Sequence, residues 1–165
     1  MPDVRQVQAA DLDQVARIYS HYVRTSVATF ETEPPGVADW EQKVDGILGR
    51  DLPFLVAEAD GMISGYCYAT PWRARAAYRH TAEDSVYIAP DQTGRGIGSV
   101  LLGALLDACA ASDVRQVIAV IADSGSDASE KLHAKFGFAH AGRLTGVGHK
   151  HGRWIDTVLM QRALA

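Results

Sequence analysis

The chain has only two cysteines in 165 residues, Cys67 and Cys109. Both stand among apolar neighbours, so they read as buried thiols, and a disulfide framework is excluded. No apolar run approaches the ~20 residues that a bilayer-spanning helix needs. The first residues, Met1 to Arg5, lack the pattern of a signal peptide. Neither sign of charge dominates: the net charge is -4 and the isoelectric point is near 5.8. Lys and Arg are scattered, which argues against a general affinity for nucleic acid. No repeat or low-complexity tract interrupts the chain, and no Gly-Lys-Ser/Thr supplies a Walker phosphate loop. These absences point to a cytoplasmic protein with no membrane or nucleic-acid partner. A length of 165 residues and a 47% hydrophobic content fit one globular domain over residues 1–165.

What is present is a regular alternation of short elements. Asp3 to Gln8 has the pattern of a first strand. Asp11 suits a helix N-cap, followed at helical spacing by Leu12, Val15, Ile18, Tyr19 and Tyr22. Pro34-Pro35-Gly36 breaks the chain, and Asp39 is placed to cap a second helix carrying Trp40, Val44, Ile47 and Leu48. Phe54 to Ala59 and Ile63 to Thr70 read as a hairpin turned at Asp60-Gly61. Pro71 ends it, and Thr81 to Ile88 is the next strand. A strong helix follows, with Ile97, Val100, Leu101, Ala104, Leu105 and Ala108 as its apolar stripe. Val117 to Ala122 is uninterruptedly apolar, as in a strand covered on both faces. Ser126 to Phe136 fits a helix stopped by Gly137. Ala139 to Val147 and Ile155 to Arg162 close the chain as strands. The order predicts an α/β (α+β) fold with a βαβ crossover at its centre.

The most informative stretch lies at that crossover, Tyr87 to Ser99. Gly94, Gly96 and Gly98 alternate between a strand and a helix, where no Cβ blocks the approach of a ligand. The helix N-terminus adds unpaired N–H groups and a positive dipole end, so the turn suits a phosphate or pyrophosphate. The spacing is not that of a dinucleotide-binding Gly-x-Gly-x-x-Gly, because residue 101 is Leu. A tight strand-to-helix turn with no ligand explains the glycines about as well.

The element order and this turn together resemble the GNAT N-acetyltransferase superfamily, whose pattern is Gln/Arg-x-x-Gly-x-Gly/Ala. Arg95-Gly96-Ile97-Gly98 fits the end of it, while Thr93 replaces the first residue. Five further blocks resemble the phosphinothricin and methionine sulfoximine branch. They are Tyr19 to Pro34, Pro71-Trp72-Arg73-Ala74-Arg75-x-x-Tyr78, Thr81-Ala82-Glu83-x-Ser85-Val86-Tyr87, Leu132-His133-x-x-x-Gly137-Phe138 and Gly148-x-Lys150-His151-Gly152-x-Trp154-x-Asp156. The resemblance implies a mixed twisted sheet of about seven strands with four helices, splayed at a central parallel pair. It implies acetyl-CoA as cosubstrate, its pyrophosphate on Gly94, Arg95, Gly96, Ile97, Gly98 and Ser99. The pantetheine arm would run beside Val86, Tyr87, Ile88 and Ser126, the last standing where many relatives carry Asn. A main-chain N–H near Tyr87 or Ile88 would stabilise the oxyanion.

Acetyl transfer to an amine needs a base, because alkylamines titrate near ~10. Glu83 lies in a strand with few charged neighbours, where an exposed carboxylate is the commoner reading by composition; the resemblance implies that it is the base, directly or through a water. The resemblance implies that His133 acts as general acid or second base, a role that an imidazole titrating near neutrality can fill; an ordinary helix-surface histidine is the alternative. Trp72-Arg73-Ala74-Arg75 reads as a strand end; if extended, alternation puts Arg73 and Arg75 on one face, which would suit an anionic substrate. A solvated basic loop is the alternative, and the resemblance implies substrate anchoring. Trp72, Phe30, Tyr78 and Tyr87 would wall that pocket. Trp154 reads as core or dimer interface. His149 and His151 alternate on a strand but lack a third ligand, so no metal is expected. The acceptor implied is a small glutamate-like amino acid, and the assembly a homodimer through the last strands. A protein N-terminus or polyamine as acceptor, and a non-catalytic coenzyme A sensor, remain open at this point.

Overall fold

The structure is a computed structural model that describes residues 1–164. Seven strands form one sheet in the order β1-β2-β3-β4-β5-β7-β6. In chain order they are β1 (Asp3–Gln6), β2 (Phe54–Ala59), β3 (Met62–Pro71), β4 (Thr81–Ile88), β5 (Gln116–Ala122), β6 (Ala139–Lys150) and β7 (Arg153–Ala163). Helices α1 (Leu12–Thr25) and α2 (Val37–Leu48) precede β2; α3 (Ile97–Ala110) and α4 (Ala128–Lys135) flank β5. The expected mixed sheet with four helices is observed, and among the described residues its one parallel pair is β4–β5.

Each sheet face carries its own core. On one face α1 and α2 bury Leu12, Val15, Ile18, Tyr19, Trp40 and Ile47 against Phe54, Val56, Tyr66 and Tyr68. On the other, α3 packs on Cys67, Val117, Ala119 and Met160. The buried face of α3 is Ile97, Leu101, Leu102, Leu105, Leu106 and Cys109. It is rotated from the expected stripe, since Val100, Ala104 and Ala108 are only partly covered. An apolar helix offers several plausible stripes, and only the sheet beneath selects one. Each fully buried leucine here contributes about 1.5–3 kcal/mol. Both cysteine thiols are buried, which raises their pKa, that of Cys109 to about 12.

Several boundaries differ from expectation for local reasons. Gly36, not Asp39, occupies the N-cap of α2; Asp39 sits three residues on and accepts the Gly36 N–H at 2.9 Å. Asp11 stands at the start of α1 but its carboxylate turns back, accepting from Arg5 at 2.8 and 2.9 Å and from the Gln8 N–H at 2.7 Å. The final hairpin is longer than expected, because its turn is His151-Gly152, with φ of 51° and 74°. His151 is therefore in the turn and does not share a strand face with His149. Trp154 is not core: it is 73% exposed and lies against His149. β5 is covered on one face only, since α1 and α2 pack over β2, β3 and β4 and leave Val120 exposed.

Candidate active site

β4 and β5 hold register for three pairs only, Thr81–Gln116 to Glu83–Ile118. Beyond Glu83 the two strands part. β3 still pairs with β4 as far as Gly65–Ile88, so the β5-facing main chain of residues 84–88 has no strand partner. A cavity of about 740 Å³ fills this opening. It reaches Thr93 and Gly98 at the start of α3, and Ser126, Ser129, Leu132 and His133 on the α4 side. Toward α1 and α2 it reaches Tyr19, Thr29, Phe30, Lys43, Tyr68 and Glu83.

The glycine turn is built by backbone conformation. Gly94 and Gly96 take φ of 74° and 79°, in the left-handed region, and Gly96 is the N-cap of α3. Gly98 is helical; a Cβ there would stand 3.4 Å from Leu132 Cδ2 and narrow the cavity. These features fit a diphosphate approaching the main chain closely. The Ile97 side chain is buried in the α3 core, which leaves only its main chain at the turn. Arg95 is exposed and borders a separate hollow beside Met1 and Asp60. Ser99 receives a hydrogen bond from Lys135 Nζ at 3.2 Å. Gly96→Ala is expected to destabilise the fold by about 1–2 kcal/mol through its φ alone, measured by urea unfolding; the nearest atom to the new Cβ, Met1 Cε, is 3.7 Å away.

β4 sends alternate side chains into different surroundings. Glu83 faces the α1/α2 side, opposite Thr70 of β3. Burial raises its pKa, the neighbouring Asp84 carboxylate raises it further, and Lys43 opposes both. The expected scarcity of charged neighbours is thus corrected. Lys43 lies 40 positions away on α2, and Asp84 is adjacent in sequence.

Asp84 turns to the opposite face and was not singled out from sequence. Its Oδ2 lies 2.7 Å from His133 Nε2, and both side chains are almost fully buried. His133 Nδ1 donates to the Ser129 carbonyl at 2.8 Å. Both ring nitrogens are therefore engaged, and His133 is not a helix-surface residue. Burial pulls its pKa down, but the Asp84 carboxylate and the Ser129 carbonyl outweigh that and raise it. Asp84 Oδ1 is buried with no hydrogen-bond partner among the described residues.

The wall nearest α1 is pinned from a distance. Tyr22 Oη donates to the Ile88 carbonyl at the end of β4. Tyr19 Oη bonds Thr29 Oγ1 at 2.6 Å, and its ring meets Tyr87 edge-on at 5.2 Å. Lys150 of β6 is buried and donates to the Thr29 carbonyl at 2.7 Å. Phe30 rests on Gly148, where a Cβ would stand 2.5 Å from its ring. Burial lowers the Lys150 pKa, with Glu31 opposing.

Of the expected substrate residues, Phe30 and Tyr87 line the cavity, together with the expected cofactor neighbours Val86, Ile88 and Ser126. Trp72, Arg73, Arg75 and Tyr78 do not. β3 ends at Pro71, so Trp72 to Arg75 follow the strand and do not extend it. Arg73 and Arg75 are exposed, and the Arg73 guanidinium lies 5.2 Å from the Trp72 ring. The strand alternation expected to pair the two arginines therefore fails.

The residues Val4 to Leu159 match the family model for the acetyltransferase (GNAT) domain. The phosphinothricin N-acetyltransferase of Alcaligenes faecalis is 52% identical over 161 residues, which cover 98% of this chain and 82% of that protein. The L-methionine sulfoximine/L-methionine sulfone acetyltransferase of Pseudomonas paraeruginosa is 36% identical over 159 residues, 96% of this chain and 92% of that protein. Among solved structures, a GNAT superfamily phosphinothricin acetyltransferase from Sinorhizobium meliloti in complex with AcCoA superposes with a TM-score of 0.95. It is 42% identical and covers 99% of this chain and 89% of that one. Splayed β4 and β5, the glycine turn at α3 and these likenesses agree: the chain belongs to the GNAT acetyltransferase family.

Proposed function

We propose that this protein moves an acetyl group from acetyl-CoA to the α-amino group of a small glutamate-like amino acid, with phosphinothricin and methionine sulfoximine as leading acceptors. The observation that carries this reading is one continuous cavity joining the glycine turn of α3 to Glu83 through the β4–β5 opening. Acetyl-CoA supplies the thioester that makes the acyl carbon electrophilic. Main-chain amides from Gly94 to Ser99 hold the diphosphate, and Ser126 and the free edge of Val86 to Ile88 border the arm. An N–H on that edge stabilises the oxyanion. Glu83 accepts the proton of the attacking amine. His133, with both nitrogens engaged, acts as a positioning residue that holds α4 against β4.

The relatives named for phosphinothricin and methionine sulfoximine support this acceptor class. A homodimer built on the last strands fits the exposed Leu144, Val147 and Trp154, and a cytoplasmic location fits a coenzyme A-dependent reaction. Mixing enzyme, acetyl-CoA and each acceptor with a thiol reagent tests the proposal. Thiol release that depends on the amino acid is expected; no release with any small amino acid would overturn it.

A further inference from the structure

The acceptor end of the cavity contains one unpaired cation. Among the described lining residues, Lys43 is the only lysine or arginine. It projects from the middle of α2, and no carboxylate of the described residues lies within ion-pairing distance of it. Its ammonium stands 4.6 Å from the Tyr68 ring centroid and 5.4 Å from that of Trp40. Tyr68 pairs with Ser85, two residues from Glu83 on the same face of β4.

An ammonium held against two aromatic faces loses part of its water shell. That makes it a receptor for an anion entering the cavity. The arrangement also matches the acceptor's charge pattern. A carboxylate alone at this end, Glu83, would repel an acidic amino acid. Glu83 and Lys43 together present one negative and one positive group to a molecule that carries an amine and an acid.

We propose that Lys43 binds the anionic oxyacid group of the acceptor, its α-carboxylate or side-chain phosphinate, while the amine faces Glu83. This inference rests on the transferase reading above. It is tested by steady-state kinetics of Lys43→Met, which keeps an unbranched stem over Tyr68, and of Lys43→Arg, which keeps the cation. Lys43→Met is expected to raise the KM for phosphinothricin roughly tenfold or more and to leave that for acetyl-CoA within about twofold. Lys43→Arg is expected to restore most of the loss.

Two further acceptors separate the sources of the anion. A matching rise with methionine sulfone, which has no charged side chain, assigns the α-carboxylate. A rise confined to acceptors bearing a phosphinate, including the decarboxylated amine of phosphinothricin, assigns the side chain. An unchanged KM for every acceptor overturns the proposal, even if the pH profile moves. So does an equal loss of acetyl-CoA affinity that Arg does not rescue, which would make Lys43 a packing residue. Wild-type enzyme inert toward every small amino acid overturns the transferase reading, and this inference with it.

Discussion

Replacing Glu83 with Gln is expected to lower kcat/KM by roughly 10²–10⁴-fold near neutral pH, the range a positioned base contributes. The loss should shrink as pH approaches that of the free amine, because deprotonated acceptor then needs no base. The wild-type profile should carry its own signature. Burial and the adjacent Asp84 carboxylate raise the Glu83 pKa, with Lys43 acting the other way. A base must be ionised to work, so activity should rise with pH through a value above the ordinary glutamate range. Asp84→Asn removes a like charge and should move that limb to lower pH. Lys43→Met should move it higher. Profiles of kcat/KM for the three variants decide this; an acid limb that stays in place in all of them would exclude Glu83 as the titrating base.

Replacing Asp84 with Ala is expected to destabilise the protein by about 3–5 kcal/mol, because it leaves a buried imidazole without its partner. For a chain of this size that corresponds to a fall in Tm of roughly 6–20 °C. Asp84→Asn should cost less, since an amide can donate to Nε2 of a neutral imidazole while Nδ1 keeps the Ser129 carbonyl. The pH dependence has a definite sign. His133 has its pKa raised in the folded state. Its contribution is therefore fully present below about pH 6.5, the ordinary histidine value, and is lost as pH rises through the higher folded value. Asp84→Asn should flatten that slope. Urea unfolding of wild type and Asp84→Asn at pH 6 and pH 8 measures it; identical slopes would mean that His133 is neutral in the pair.

The two experiments also separate chemistry from positioning. Glu83→Gln should reduce kcat with little change in Tm. Asp84→Ala should lower Tm and raise the KM for acetyl-CoA, because α4 carries Ser129 and Leu132 on the cavity wall.

Much of this architecture was legible along the chain. The strand and helix order follows from apolar periodicity, and glycines at 94 and 96 mark a turn whose left-handed φ other residues resist. These signals are local: a few neighbouring residues fix the backbone conformation, and sequence alone records them. Arg73 and Arg75 do not share a strand face, because alternation holds only while the strand continues, and β3 ends at Pro71. Asp84 joins His133 across 49 residues, Lys150 holds Thr29 across 121, and Lys43 meets Tyr68 only because α2 packs on β3. No spacing encodes such partners. Periodicity states which face of an element is apolar, but the sheet order decides what that face meets. The sequence by itself therefore determined the elements and the phosphate-type turn. The tertiary structure alone decided which charges share the cavity, since buried groups must find partners wherever the fold happens to bring them.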